Sequence, residues 1–250
     1  MHRFKISRLS SDQGFFWLHG AEKDHLVRVL RIQPGETVAG FDNSGREWLG
    51  KILSVAEDEV SCQILAEQRP EVEARLALYL AAGLAKGEKF EWVIQKGTEL
   101  GMAGFLPLQA KRSVVQLAGP KAAERVERWQ KIAAEATKQS GRVCEPQIFP
   151  VSAWHELPGR LGSLAKEMQW LIPYEEEKTE RLLTAAGQLD PGRPVGLLIG
   201  PEGGFEPAEV AWAQQNLGAR SVSLGPRILR AETAAVAALA LVLGQWGDLG

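Results

Sequence analysis

Two glycine-bearing turns carry the residue types and spacing of a binding site. The first is Ile199-Gly200-Pro201-Glu202-Gly203-Gly204-Phe205, at the end of an apolar run from Val195. The second is Leu224-Gly225-Pro226-Arg227-Ile228-Leu229-Arg230-Ala231-Glu232-Thr233-Ala234, which leads into an alanine-rich helix. Glycines in a strand-to-helix turn permit positive φ and close backbone approach to a ligand. Amides at the start of the next helix can then hold an electron-rich group. In a parallel sheet both turns fall at the carboxyl ends of strands, where open α/β sheets bind ligands. The pattern predicts that neighbouring strands bring the two turns together in one pocket.

The chemistry of that pocket is not that of a phosphate site. There is no G-x-G-x-x-G and no G-x-x-x-x-G-K-[ST] with its phosphate lysine. Glu202 stands in the middle of the first turn, where a carboxylate repels a pyrophosphate. S-adenosylmethionine, with a cationic sulfonium and no phosphate, fits better. The plain alternative for Gly-Pro-Glu-Gly-Gly is a tight surface turn, and a single such motif favours it. A second turn followed by Arg230, Glu232 and Thr233 weighs against it. Glu232 suits the start of a helix and Arg230 does not; such misfits concentrate at sites.

The elements that must position these turns fall into two series. Residues 1–70 read as short strands: Arg3 to Ile6, Thr37 to Phe41, Glu47 to Val55 and Val60 to Leu65, with a turn at Asp42 to Gly45 and one helix from Asp24 to Leu30. They predict a small β-barrel, with Pro70 and Glu71-Val72-Glu73 as a linker. From residue 71 to 250 strands and helices alternate, the signature of an α/β fold. Strands are expected at Leu76 to Ala82, Gly104 to Leu108, Gln147 to Val151, Met168 to Ile172, Val195 to Ile199 and Ser221 to Leu224. Helices are expected at Gly87 to Leu100, Pro120 to Gln139 and Pro207 to Gly218.

Bulk properties narrow the class. The 250 residues hold 29 basic and 31 acidic side chains, so no global field advertises a nucleic-acid partner. Basic residues are nevertheless concentrated: six against three acids in residues 1–31, and eight against three in residues 111–142. That distribution is compatible with RNA binding and equally with solvated helix faces. Cys62 and Cys144 show neither metal spacing nor a disulfide framework, which predicts a reducing, cytoplasmic compartment. The first 30 residues lack an apolar h-region, and Ala234 to Leu243 is too short to span a bilayer, so no membrane partner is expected.

The two turns strongly resemble those of the ribosomal small subunit RNA methyltransferase E family, SPOUT-class enzymes. His25-Leu26-Val27-Arg28-Val29-Leu30-Arg31, Gln95 to Gly101 and Glu135 to Arg142 extend the resemblance over nearly the whole chain. It implies a PUA-like barrel, a parallel sheet with a carboxyl-terminal trefoil knot, and a homodimer with the active site near its interface. It implies methylation of uridine N3 in 16S ribosomal RNA, with S-adenosylmethionine held by Pro173, Ile199, Gly200, Gly204, Leu224, Gly225, Ile228 and Leu229. Glu202, Gly203, Arg230 and Thr233 of the same turns complete the expected cofactor set. Glu175-Glu176-Glu177, after Pro173-Tyr174, departs from the family pattern and leaves the contacts of that loop open.

Uridine N3 becomes nucleophilic only as its proton leaves, so the reaction needs a base or cations that stabilise the developing charge. Arg230 and Arg142 are the expected cations, and Glu232 or Glu202 the expected base or orienting carboxylate. Arg142 and Glu232 serving only to hold a dimer is the competing reading. The target base must be unpaired or extruded. Arg3, Arg8, His25, Arg28, Arg31, Lys111, Arg112 and Arg142 are the expected RNA contacts. The rivals are a SPOUT enzyme acting on a ribose 2′-hydroxyl or on transfer RNA, and a PUA-like RNA-binding protein without catalysis.

Overall fold

Alternating inward and outward residues build the first series of strands. They are β1 (Arg3–Lys5), β2 (Arg8–Ser10), β3 (Phe15–His19), β4 (Thr37–Phe41), β5 (Glu47–Val55) and β6 (Glu59–Gln68), in the sheet order β1-β4-β5-β6-β3-β2. β1 and β2 are halves of one extended segment, paired on one half with β4 and on the other with β3, so the sheet closes on itself. Phe16 and Leu18 point inward with Phe4, Val38, Trp48, Ile52 and Val60, while Phe15, Trp17 and His19 alternate outward. The expected helix is longer and irregular. α1 (Gly20–Asp24) runs into a π-helical turn over His25–Leu30, closed by Arg31 at φ 56°.

In this computed structural model, which describes residues 1–246 and Leu249, the chain forms two units. The first is Met1–Glu73 with Thr137–Glu145, and the second is Ala74–Ala136 with Pro146–Gly250. Within the first unit, Glu73 fastens the distant segment. Its carboxylate accepts from Arg142 Nε at 2.9 Å, Arg142 Nη2 at 2.7 Å, and the amides of Val143 and Cys144 at 2.8 and 2.9 Å.

The second unit is a wholly parallel, seven-stranded sheet. Its strands are β7 (Leu78–Gly83), β8 (Gly104–Gln109), β9 (Gln147–Ile148), β10 (Ser152–Ala153), β11 (Gln169–Pro173), β12 (Val195–Ile199) and β13 (Arg220–Val222). The order is β10-β8-β7-β12-β11-β13, with β9 also on β8. The expected strand from Gln147 to Val151 is two short pieces on one edge of β8. Buried parallel strands read as continuous apolar runs because helices cover both faces. On one face lie α2 (Glu88–Leu100), α3 (Gly119–Ser140), α6 (Leu182–Ala186) and α8 (Ala231–Trp246), through Phe90, Trp129, Ala185 and Leu239. On the other lie α4 (Leu157–Leu161), α5 (Leu164–Glu167) and α7 (Pro207–Leu217), with Trp170, Leu198 and Phe205. α8 is the apolar run that reads as a core helix; among the described residues no helix is long and apolar enough to cross a membrane.

One expectation about strand order is overturned. β12 and β13, which feed the two turns, are not neighbours, because β11 lies between them and pairs with both. β12 is a short apolar run and β13 only Arg220-Ser221-Val222, and pairing among such short segments is decided by crossovers and packing rather than by local pattern. The consequence is favourable for a pocket: the turns flank the end of β11, which contributes Pro173.

Candidate functional site

The ends of β11, β12 and β13 and the starts of α2 and α8 enclose a cleft of about 520 Å³. Its walls are Pro173–Glu175 with Lys178, Ile199–Phe205, Ser223–Glu232 with Ala234, and Lys89. A volume of that size suits a cofactor.

The first turn is held from three sides. Gly204 has φ 69°, a conformation that L side chains avoid, and a β-carbon there would lie 2.8 Å from Glu175 Oε1. Gly200 and Gly203 keep ordinary φ and are small for reasons of space: their β-carbons would meet Gly204 Cα at 3.2 Å and Arg112 Cβ at 3.0 Å. Arg112 Nη1 donates to Gly203 O at 3.2 Å. Glu209 closes the amino end of α7 by accepting from Glu206 N at 2.8 Å, and its other oxygen accepts from Lys111 N at 2.8 Å. Arg112 thus braces the turn through its side chain and Lys111 the start of α7 through its backbone amide, while both side chains, expected RNA contacts, are exposed.

The second turn is stitched to the segment before α6. Ser223 N donates to Glu180 O at 2.7 Å, Leu182 N donates to Ser223 O at 3.0 Å, and Gly225, at φ 110°, donates to Ser223 Oγ at 3.2 Å. The acidic run receives distinct roles. Glu177 accepts from Thr179 Oγ1 at 2.6 Å, Thr179 N at 2.7 Å and Glu180 N at 3.1 Å. The Thr179 hydroxyl, followed by those amides, pulls the Glu177 carboxyl down from 4.5 to about 2. Glu175 instead lines the cleft beside Gly204.

Of the expected cofactor residues, Pro173, Ile199, Gly200, Glu202, Gly203, Gly204, Leu224, Gly225, Ile228, Leu229 and Arg230 all line this cleft. Thr233 is exposed and outside its lining. Glu232 lines it and pairs with Lys89 Nζ at 3.2 Å. Burial pushes the Glu232 carboxyl up, but its own backbone amide, Lys89 and Arg230 outweigh that and leave its pKa below the ordinary carboxylate value. Such a carboxylate is a poor proton acceptor, which favours orientation over the role of base. Arg142 does not line the cleft; it is 4% exposed and committed to Glu73 in the first unit.

The sequence reading missed Lys89, Lys178 and Tyr174 as cleft residues and left the contacts of Glu175 open. The signal for Lys89 was faint: Gly87 breaks the chain after β7 at φ 68°, so that a lysine begins the next helix. Among the described residues no group of His, Cys, Asp and Glu could hold a metal ion.

The expected RNA contacts of the first unit divide into two kinds. Arg8, Arg28 and Arg31 are exposed. Arg8 also lies over the Trp17 ring at 4.0 Å and pairs with Glu59 at 3.2 Å, and Arg28 faces Asp24 at 3.5 Å. Arg3 is instead paired with the buried Glu47, and His25 stands edge-on to Phe4 at 6.3 Å.

Comparison with known proteins places these features among relatives. Residues 72–243 match the family of the RNA methyltransferase domain, and residues 18–65 match the RNA methyltransferase PUA domain. Ribosomal RNA small subunit methyltransferase E of Bacillus subtilis is 38% identical over 231 residues, covering 91% of this chain and 89% of that protein. The Synechocystis protein of the same name is 32% identical, over 89% of this chain and 70% of its own length. The crystal structure of ribosomal RNA small subunit methyltransferase E from Neisseria gonorrhoeae bound to S-adenosyl methionine is similar throughout, with 30% identity, a TM-score of 0.86 and 100% of both chains covered.

Proposed function

We propose that this chain, which belongs to the ribosomal RNA small subunit methyltransferase E family, transfers a methyl group from S-adenosylmethionine to N3 of a uridine in 16S ribosomal RNA. The observation that carries the reading is the cleft itself: backbone turned at positive φ by Gly204 and Gly225, close approach allowed by Gly200, and Glu175 and Glu202 in the walls. Glu175 and Glu202 beside the first turn disfavour a pyrophosphate there and suit a cationic donor, while the lysines and arginines of the cleft come from α2, the second turn and the loop after β11. When bound, S-adenosylmethionine supplies a methyl group on a sulfonium sulfur that retains the bonding pair as the methyl leaves.

The chain's own residues then have divided tasks. The two turns position the methyl group against N3, and alignment of that kind lowers the barrier by itself. Arg230, exposed at the start of α8, offers a positive charge to the oxygens of the uracil ring as the N3 proton departs. Glu202, which accepts from Lys86 N at 3.3 Å, is the carboxylate we assign to receive that proton. Arg8, Arg28 and Arg31 supply phosphate contacts from the barrel. We further read the carboxyl-terminal turns as a trefoil knot, the active form as a homodimer, and the compartment as the cytoplasm, where the small subunit is assembled; family membership supports each.

Incubation with labelled donor and unmodified small-subunit particles, followed by nucleoside mass analysis, tests the reading. N3-methyluridine at one site is the expected product. A ribose-methylated nucleoside, or label in transfer RNA alone, would replace it with another SPOUT activity.

A further inference from the structure

Lys89 is placed where the helix dipole disfavours a cation, in a turn it shares with Glu88 and Glu91. It occupies the first turn of α2, and Glu232 the first turn of α8. Helix amino termini disfavour cations and favour anions, so the glutamate fits its position and the lysine does not. Lys89 Nζ lies 3.2 Å from Glu232 Oε1, with the lysine side chain 44% exposed and the glutamate 17% exposed. Both residues line the donor cleft, and both also line a smaller cavity of about 20 Å³ between Gly83, Phe90, Gly200 and Ala235. The pair thus crosses from one helix to another in the wall that the cleft and the smaller cavity share.

We infer that Lys89 is a positioning residue for methyl transfer: its ammonium ties the start of α2 to the start of α8 and holds the Glu232 carboxylate as a fixed anion in the cleft wall. The inference rests on the methyltransferase reading above. A carboxylate fixed at this point interacts with Arg230, two residues away, and orients it toward the target base. The charged groups that share the cleft with Glu232 are Lys89 from α2, Arg227 and Arg230 from the second turn, Glu202 from the first turn, and Glu175 and Lys178 from the loop after β11. Lys89 is the cation among them that pairs with the carboxylate from a separate helix. Removing it leaves burial, which disfavours the charged form, opposed by Arg230 and the backbone amide.

The test needs the free protein as well as the reaction. In carbon-13 carboxyl NMR of the unliganded chain, Lys89→Met raises the titration midpoint of Glu232, and Lys89→Arg restores it. In steady-state methyl transfer, Lys89→Met lowers kcat by about threefold, the size expected for loss of one partly exposed ion pair. Lys89→Arg recovers most of the rate, and Lys89→Met with Glu232→Gln is no slower than Glu232→Gln alone. An unchanged Glu232 titration in Lys89→Met overturns the inference. So does a double variant slower by the product of the single effects, since Lys89 then acts independently of Glu232. A wild-type chain that transfers no methyl group to RNA overturns the functional reading instead, while the NMR titration still decides whether Lys89 holds Glu232 ionised.

Discussion

Pro201 sits so close to Gly83 that a β-carbon on residue 83 would lie 2.5 Å from the Pro201 Cδ and 2.6 Å from its backbone nitrogen. Gly83 ends β7, and Pro201 begins the turn after β12, its partner strand in the sheet. The end of one central strand is therefore seated against the turn that walls the cleft. Because one of the two obstructing atoms is backbone, nothing at the end of a flexible side chain can swing away.

Gly83→Ala should then act at a distance on donor binding. Overpacking of this kind typically costs about 1–3 kcal/mol, and here the strain is relieved by displacing the turn. S-adenosylmethionine affinity by calorimetry is expected to fall about tenfold or more, the equivalent of about 1.4 kcal/mol. An alanine variant with the same secondary structure and wild-type affinity would show that the turn does not depend on this contact.

The Glu73–Arg142 pair makes a different prediction. The Arg142 side chain is 5% exposed and that of Glu73 is 25% exposed, so changing either partner breaks a charge pair at a nearly buried guanidinium. Glu73→Gln and Arg142→Met should each lower unfolding free energy by roughly 2–4 kcal/mol, below the full value for a wholly buried pair. Methyl transfer per folded molecule should stay close to wild type in Glu73→Gln, measured where the variant remains folded by circular dichroism. A hundredfold loss of turnover with unchanged denaturation midpoint would return Arg142 to the chemistry.

Glu177 gives a pH-dependent signature. Its folded pKa of about 2 lies below the ordinary 4.5, so its hydrogen bonds stabilise the loop above the ordinary value. That contribution is lost as pH falls from about 4.5 toward 2. Thr179→Val removes the hydroxyl donor and should lift the carboxyl titration toward 4.5, with the stability gap between variant and wild type closing at low pH. A gap that persists unchanged to pH 2 would mean that Thr179 acts through packing instead.

Much of this architecture is written locally. Gly101 and Gly218 end α2 and α7 in left-handed conformations, as their positions after apolar periodic runs require. Val195 to Ile199 is a strand because five consecutive buried residues need helices on both faces of a sheet. That the two turns line one cleft was legible because glycine spacing and a misplaced arginine are properties of short segments. Their resemblance to a family named the donor, which spacing alone only favoured.

Other features arise from contacts between residues far apart in the chain, and no local pattern encodes them. The insertion of β11 between β12 and β13 is one, since strands of three to five residues pair through backbone groups that carry no mark of their neighbour. The pairing of Lys89 with Glu232 joins helices 143 positions apart, and that of Glu73 with Arg142 spans 69 positions. A charge reads alike in sequence whether it faces solvent, an RNA phosphate or a buried partner. The residue that meets it in space determines its protonation and its work, and only the folded chain supplies that residue.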